Sequence, residues 1–480
     1  MIEAQNHIDG KWSTKGSVEI HSPSNTTEQI GTIPDAGESE IDAAVRAAKK
    51  SQTEWQRLGY AVRGNLLHQA ASRLEANLDL LAEVATKEMG KPILETRGEA
   101  ARAAAILRYY AGEGLHSVGD VIPAAKADTL QYTTREPLGT VGIVTPWNFP
   151  LAIPAWKLAP ALVYGNTVVF KPAELSSLSA YVLIDLIADL FPSGTINLVL
   201  GKGAVAGEAL IRHESVNAIS FTGSTTVGHH IAEVAVGRGA KYQLEMGGKN
   251  PVIVADDANL TLAADMVVSG AMRSAGQKCT ATSRVIVMDK IRSSFTDALV
   301  QRVKELSIGD PLDVRNYLGP VASQAQQEKV ENLINTGAKE GARLLVGGSR
   351  ASNVSQYGYF VTPTVFDQVS IDATIAQEEI FGPVVGIIEA HSVEHAIALA
   401  NNVRYGLSAS IFTNSLDTAM EFVNGIQAGM VRVNEETAGV ELQAPFGGIK
   451  ASSSYSREQG RSAIEFYTHI KTVAIRPPKA

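Results

Sequence analysis

The chain holds a single cysteine, Cys279, in the polar segment RSAGQKCTATSR. A thiolate is a strong nucleophile, and a cysteine becomes reactive where exposure and local dipoles favour its anion. Gln277, Lys278, Thr280 and Thr282 around it would make a poor core strand, which argues against a small inert core residue. Glu245 stands ahead of Gly247 and Gly248 in QLEMGGKNPVIV, a break where backbone can come close to a ligand. A carboxylate there suits a general base for a hydrolytic water, although a solvent-facing glutamate at a strand end would be written the same way. In PWNFP, Pro146 and Pro150 fix the backbone around Asn148, whose amide suits donation to a developing oxyanion; an ordinary turn asparagine has the same signature. AISFTGSTTVG reads as strand, tight turn and helix, with Gly223, Ser224 and Thr225 at the helix start, where free N–H groups attract phosphate. It lacks the spacing GxGxxG. Lys171, at the end of TVVFKP, precedes Glu174 by three residues, a pair suited to holding a ribose or to a surface salt bridge.

These residues need elements to position them. Ile41, Ala44, Val45 and Ala48 share one helical face over 39–50, opened by a Ser39-x-x-Asp42 cap pattern. Residues 65–86 carry a second stripe of Leu67, Ala70, Ala71, Leu74, Leu78 and Leu81. From Val141 the texture changes to short β-rich runs, VGIVTP, TVVFKP, INLVL, AISFTG and NPVIVADD, alternating with helical stretches at 177–190 and 225–236. That alternation predicts a parallel, doubly wound sheet, which binds ligands beyond the carboxyl ends of its strands. After Gly270 a second series, RVIVMD, LLVG, TPTVFDQV, PVVGIIE, LSASIFT and GMVRVN, with a helix at 393–402, predicts a second α/β domain. Cys279 falls near its start, at the junction of the two.

A chain of 480 residues with 45% hydrophobic content is long enough for about three domain-sized units. The net charge of −8 and the scattering of Lys and Arg among acids speak against a nucleic-acid partner. The N-terminal MIEAQNHIDGKW has no basic region followed by an apolar stretch, and no segment offers about 18 uninterrupted apolar residues, so a soluble, cytoplasmic protein with no membrane partner is expected. One cysteine excludes an internal disulfide and a multi-cysteine metal site; no metal is expected.

PWNFP, FKPAE, FTGST, LEMGGKNP, GQKCTA, EEIFGP and PFGGIK occur in the order and rough spacing of the aldehyde dehydrogenase superfamily, and the chain resembles that family over nearly its whole length. The resemblance implies an α/β fold with a Rossmann-type NAD(P)-binding domain (1–117 and 139–247), an α/β catalytic domain (248–448) and a small β bridging or oligomerisation segment (118–138 and 467–480). It implies that Cys279 is the nucleophile, that its backbone N–H and the Asn148 side chain form the oxyanion hole, and that Glu245 is the general base. Lys171 and Glu174 match adenosine-ribose contacts, Gly223 and Ser224 the phosphate turn, and Trp147 a wall near the cofactor. Glu379 and Phe381 match the nicotinamide-ribose site, Gln326 and Lys329 further cofactor contacts, and Lys157 with Glu458 a proton relay. The expected activity is oxidation of an aldehyde to a carboxylic acid through a thiohemiacetal and a thioester. Retaining Glu245 favours hydrolysis over transfer to coenzyme A.

Arg273 lies six residues before Cys279, where relatives acting on semialdehydes carry an arginine for a distant carboxylate, and a guanidinium fork suits that ligand. A structural ion pair is the other reading of Arg273. Trp156 stands where succinic semialdehyde dehydrogenases tend to have a second arginine, a departure from that pattern. AGVELQAPFGGIKASSSYSREQG, ILRYYAGEG and YQLEMGGKNPVIVADDANL look most like the 2,5-dioxovalerate (α-ketoglutaric semialdehyde) branch. Succinic semialdehyde, or a general aromatic or aliphatic aldehyde, is the alternative substrate, and an inactive binding or structural protein on the same fold the alternative of another class. Glu174 would bond a free 2′-hydroxyl and repel a 2′-phosphate, which ranks NAD ahead of NADP. A homodimer or homotetramer follows from the resemblance.

Overall fold

The computed structural model describes residues 1–13, 16–116, 118–352 and 354–478. Its first large sheet runs in the order Lys241–Glu245, Ala218–Thr222, Thr140–Thr145, Thr167–Pro172, Ile196–Leu198, His7–Ile8 and Lys11–Trp12. The first five strands are mutually parallel, and the N-terminal hairpin closes the far edge antiparallel. The chain lays down 140–145, moves outward through 167–172 and 196–198, then returns to 218–222 on the other side of 140–145 and ends at 241–245. The order therefore reverses between 140–145 and 218–222. In a doubly wound sheet the crevice beyond the carboxyl ends at such a reversal is where a ligand sits. Pro146–Asn148 and Gly223–Ser224 are the residues that leave those two ends.

The second large sheet is ordered Arg343–Val346, Thr364–Asp367, Val384–Ala390, Thr282–Met288, Asn250–Val254, Ser408–Phe412 and Met430–Val433, with only the 343–346 edge antiparallel. One expectation is corrected here. The run NPVIV was placed with the first series of strands, but it pairs with 282–288 and 408–412 at the centre of the second sheet. A short apolar run carries no periodicity that names its sheet. The first sheet ends instead on YQLE, whose last residue is Glu245.

The helices show why side chains end where they do. Helix Glu38–Arg57 buries Ile41, Ala44, Val45 and Ala48, as the spacing predicts. It begins earlier than the Ser39 pattern suggests, because Glu40 reaches back to accept the Gly37 N–H at 2.9 Å. The stripe over 65–86 is two helices, Gly59–Ala76 and Leu78–Met89, broken at Asn77. The helix expected over 177–190 is Ser177–Asp185 followed by a 3-10 turn at Ala188–Leu190. Helix Ile93–Glu113 packs on 59–76 and on Ala152–Val163 through Ala100, Ala103, Ala104 and Leu107, all buried. Each large apolar side chain so buried contributes about 1.5–3 kcal/mol. A third sheet joins Thr468–Ile475, Leu130–Pro137 and Val121–Ile122 antiparallel and leaves Val121, Leu130, Ile470 and Ile475 exposed. Among the described residues no helix is long and apolar enough to cross a membrane.

Candidate active site

Two cavities meet at Cys279. The first is lined by Pro146, Trp147 and Asn148 from one strand end, by Thr222, Gly223 and Ser224 from its neighbour, and by Gln326, Lys329, Glu379 and Phe381 from the second α/β unit. The second cavity is apolar, walled by Phe149, Ile153, Trp156, Val440 and Phe446, and Cys279 closes it as well. The carboxyl ends of the first sheet thus face segments that precede strands 282–288 and 384–390 of the second.

The loop that carries Cys279 is held in an unusual shape. Ser274 and Ala275 both adopt left-handed backbone, φ 55° and 51°, which is costly for residues with a Cβ and persists only where surroundings over-determine it. Glu95 supplies one restraint, accepting from the Ser274 N–H (3.1 Å) and hydroxyl (2.6 Å). Gln277 supplies another: its amide donates to the Ser274 carbonyl and accepts from Ala322 N–H. Asn148, buried, donates to the Gln277 carbonyl at 3.0 Å, and Asn250 donates to the Cys279 carbonyl at 2.8 Å. An amide nitrogen has two hydrogens, so Asn148 keeps one for an oxyanion beside Cys279. Burial, then the charges of Glu379 and Glu245, push the Cys279 thiol up to about 12, against backbone N–H groups of Thr280 and Cys279 that favour the thiolate.

The glycine pair after Glu245 is needed for close approach. A Cβ on Gly247 would lie 2.5 Å from the Glu379 carboxylate, and one on Gly248 would lie 2.6 Å from the Cys279 carbonyl. Glu245 itself is buried, not solvent-facing. One of its oxygens accepts from the Ser453 hydroxyl at 2.5 Å, and the other has no partner. Burial and the nearby Glu458 charge hold its pKa well above the usual carboxylate range. Glu458 pairs with Lys157, which also donates to Ser220 at 3.0 Å, so Glu245, Glu458 and Lys157 form one buried charged group. Glu245 lines neither cavity; its carboxylate is turned towards Ser453.

Of the cofactor candidates, Trp147, Gly223, Ser224, Gln326, Lys329, Glu379 and Phe381 line the first cavity, and Lys171 and Glu174 do not. Ser224 caps the 13-residue helix Thr225–Gly237, leaving free N–H groups in its first turn at the cavity wall. Trp147 and Phe381 meet edge to face, ring centres 5.4 Å apart. Gln326 donates to the Phe381 carbonyl at 2.8 Å, fixing a residue with φ 59°. Glu379 accepts from Gly248 N–H at 3.1 Å, and burial raises its pKa against that bond and the Lys329 charge. Lys171 and Glu174 stand further along the sheet's carboxyl edge and are not ion-paired: Lys171 is buried and donates to the Pro172 carbonyl, while Glu174 accepts from Gly203 N–H at 2.6 Å. A helix N-terminus for phosphate, two carboxylates for ribose hydroxyls and aromatic walls fit a dinucleotide in chemistry.

Trp156 lines the second cavity, and Arg273 does not. The left-handed run at 274–275 turns the chain so that the Arg273 guanidinium stands 5.7 Å from the centre of the Tyr317 ring. The cation in that cavity is Arg102, which sequence reasoning missed along with Gln459 and Phe446. A signal existed in Glu95, Gly98, Glu99 and Arg102, which recur at helical spacing and all face the cavity.

The Aldehyde dehydrogenase family model matches residues 12–473. The chain is 51% identical over 477 residues to an alpha-ketoglutaric semialdehyde dehydrogenase of Bacillus subtilis, covering 98% of each protein. It is 41% identical over 479 residues to an alpha-ketoglutarate semialdehyde dehydrogenase of Haloferax volcanii, again covering 98% of each. Among solved structures it resembles betaine aldehyde dehydrogenase from Staphylococcus aureus in complex with NAD+, with a TM-score of 0.96 and 33% identity over 99% of this chain and 96% of that one.

Proposed function

The chain belongs to the aldehyde dehydrogenase family, and on that premise we propose that it oxidises 2,5-dioxovalerate to 2-oxoglutarate by covalent catalysis at Cys279. It is an NAD(P)-dependent oxidoreductase acting on an aldehyde. The observation that carries the mechanism is that Cys279 closes both cavities, one with the residue types of a dinucleotide site and one apolar tunnel. The substrate follows from the semialdehyde relatives named above.

Cys279 loses its thiol proton to solvent water, and the thiolate Sγ attacks the aldehyde carbon, the C=O π pair moving onto oxygen as the C–S bond forms. The resulting oxyanion accepts from the free hydrogen of Asn148 Nδ2 and from the Cys279 backbone N–H. Bound NAD(P)+ supplies the acceptor for the hydride whose loss leaves an acyl thioester. Glu245 then takes a proton from the water that releases the acid, for which its carboxylate must leave Ser453 and turn to Cys279. Its partnerless oxygen, and a pKa raised by burial and then by the Glu458 charge, suit a group that takes up and gives back a proton. Lys157 and Glu458 stand behind it to pass that proton on. Trp147, Gly223, Ser224, Gln326, Lys329, Glu379 and Phe381 hold the nicotinamide half and the phosphates, and Lys171 with Glu174 the adenosine ribose. Glu174, anchored by Gly203, favours NAD over NADP.

Pairing between subunits through the 130–137 and 468–475 strands, giving a dimer or tetramer, would cover the exposed Ile470, Ile475 and Leu130. A reducing compartment, the cytoplasm, suits a nucleophile that must remain a free thiol. The test is NADH and NADPH formation by purified protein with 2,5-dioxovalerate, succinic semialdehyde, benzaldehyde and propanal, beside Cys279→Ala. Preference for 2,5-dioxovalerate with NAD, abolished in the variant, is the expected result. Preference for uncharged aldehydes overturns the substrate, and turnover surviving in Cys279→Ala overturns the covalent route.

A further inference from the structure

The tunnel that ends at Cys279 carries one cation among its described lining residues, Arg102, on helix Ile93–Glu113. Two acids share the wall, and both are occupied. Glu99 pairs with buried Lys91 at 2.6 Å and accepts the N–H groups of Leu151 and Ala152, while Glu95 accepts from Ser274. Among the described residues Arg102 has no carboxylate ion-pair partner. It donates to the Val440 carbonyl and, at 3.4 Å, to Gln459 Oε1. Glu441 is the acid whose charge it feels, and that residue is exposed.

The contact to Arg102 orients the Gln459 amide, so its Nε2 is the end left over. That nitrogen is buried with no hydrogen-bond partner, in a residue 1% exposed. Trp156, 8% exposed, has an indole N–H in the same condition. Buried donors are ordinarily satisfied, because an unmade hydrogen bond costs about 1–3 kcal/mol, and these two belong to side chains that line one cavity beside a guanidinium, where a ligand's oxygens would satisfy them. The 2,5-dioxovalerate proposed above offers an aldehyde at one end and several acceptor oxygens at the other.

We propose that Arg102, with Gln459 and Trp156, binds the 2-oxo acid end of the substrate in the tunnel, the task expected of Arg273. Arg102 takes the carboxylate, and the Gln459 amide and Trp156 indole supply neutral donors to the remaining carboxylate and 2-oxo oxygens. Arg273, beside Tyr317 and outside the tunnel lining, is a residue of the Cys279 loop. The inference rests on the semialdehyde reading above.

The experiment compares kcat/KM for 2,5-dioxovalerate and for pentanal, which lacks the acid, in the wild type, Arg102→Met, Arg102→Lys and Arg273→Met, with 2-oxoglutarate binding measured by calorimetry. In Arg102→Met the ratio of the two kcat/KM values should fall about ten- to a hundredfold, chiefly through KM, and 2-oxoglutarate affinity should fall in step, as expected for lost bonds to a charged group. Arg102→Lys should recover part of both. Arg273→Met should shift the ratio less than threefold. An equal loss on both aldehydes with no change in 2-oxoglutarate affinity would reduce Arg102 to a brace for Val440 and overturn the proposal, as would transfer of the selective loss to Arg273→Met. A wild type that prefers pentanal refutes the semialdehyde reading itself, an outcome distinct from either. Should Arg102→Met fail to fold, Arg102→Lys and the wild-type preference decide the matter.

Discussion

Cys279 rests as a thiol, and that has a measurable consequence. At pH 8 a thiol with the ordinary pKa of 9.0 is about one-tenth ionised, whereas one held at about 12 is ionised to roughly one part in ten thousand. The thousandfold deficit is partly repaid, because a more basic thiolate is the better nucleophile. With a Brønsted slope of about 0.4–0.5, three pH units return roughly 20-fold. Alkylation of the cofactor-free protein by iodoacetamide at pH 8 should therefore run about 50-fold slower than that of the same cysteine in urea-unfolded protein. The rate should climb about tenfold per pH unit from 7 to 10 without a plateau. Cys279 is partly exposed and borders two cavities, and its being the only cysteine makes intact-mass spectrometry a sufficient assay. Glu379 is the larger of the two charges that disfavour the thiolate. Glu379→Gln should thus alkylate severalfold faster than wild type while turning over more slowly, having lost a cofactor contact. A plateau with an apparent pKa below about 8, or a Glu379→Gln protein that alkylates more slowly, would refute this account of the resting cysteine.

Asn148→Ala removes an oxyanion donor and the brace on Gln277, so kcat should fall about 10²–10³-fold with KM within a few-fold, and a kcat within threefold of wild type would remove Asn148 from the oxyanion hole. Glu245→Gln should release about one NADH per subunit in a burst and then stall as thioester; if the first turnover is lost instead, Glu245 acts on the thiol proton rather than on water. Glu88 is buried at the start of helix Ser177–Asp185, and burial, against hydrogen bonds from Ser179 and Leu178, raises its pKa from 4.5 to about 7. Folding therefore favours its protonated form, a contribution fully present below about pH 4.5 and lost as pH rises through about 7, worth about 3 kcal/mol at about 1.4 kcal/mol per pH unit. Thermal melting of Glu88→Gln relative to wild type should move in the variant's favour between pH 5 and 8, and a pH-independent difference would show that Glu88 is ionised in the folded protein.

How much of this was legible in the sequence depends on what each function demands of the chain. Asn148, Gly223, Ser224, Gly247 and Cys279 act through backbone shape at strand ends, and turns write their requirements locally as PWNFP, FTGS, MGG and GQKC. Both sheets follow from alternation for the same reason, except where a run such as 250–254 is apolar throughout and its partner alone decides which sheet it joins. The cavity has only a partial local signature, the helical spacing of Glu95, Gly98, Glu99 and Arg102, because Trp156 and the 440–459 segment reach it from elsewhere in the chain. Arg273 shows the opposite failure. The resemblance implies a carboxylate-binding role for it, but its guanidinium stands against Tyr317 outside the cavity lining, next to two left-handed residues whose conformation neither Ser nor Ala announces. Glu245 shows a third: its type and position were readable, whereas its pairing with Ser453 and its burial beside Glu458 required residues more than two hundred positions away. The proposed chemistry is thus written in short local motifs, while the proposed substrate choice and proton handling depend on which distant side chains the two sheets bring together. A change of substrate can then arise from helix 93–113 and from the 440–459 segment with the strand-end motifs left untouched.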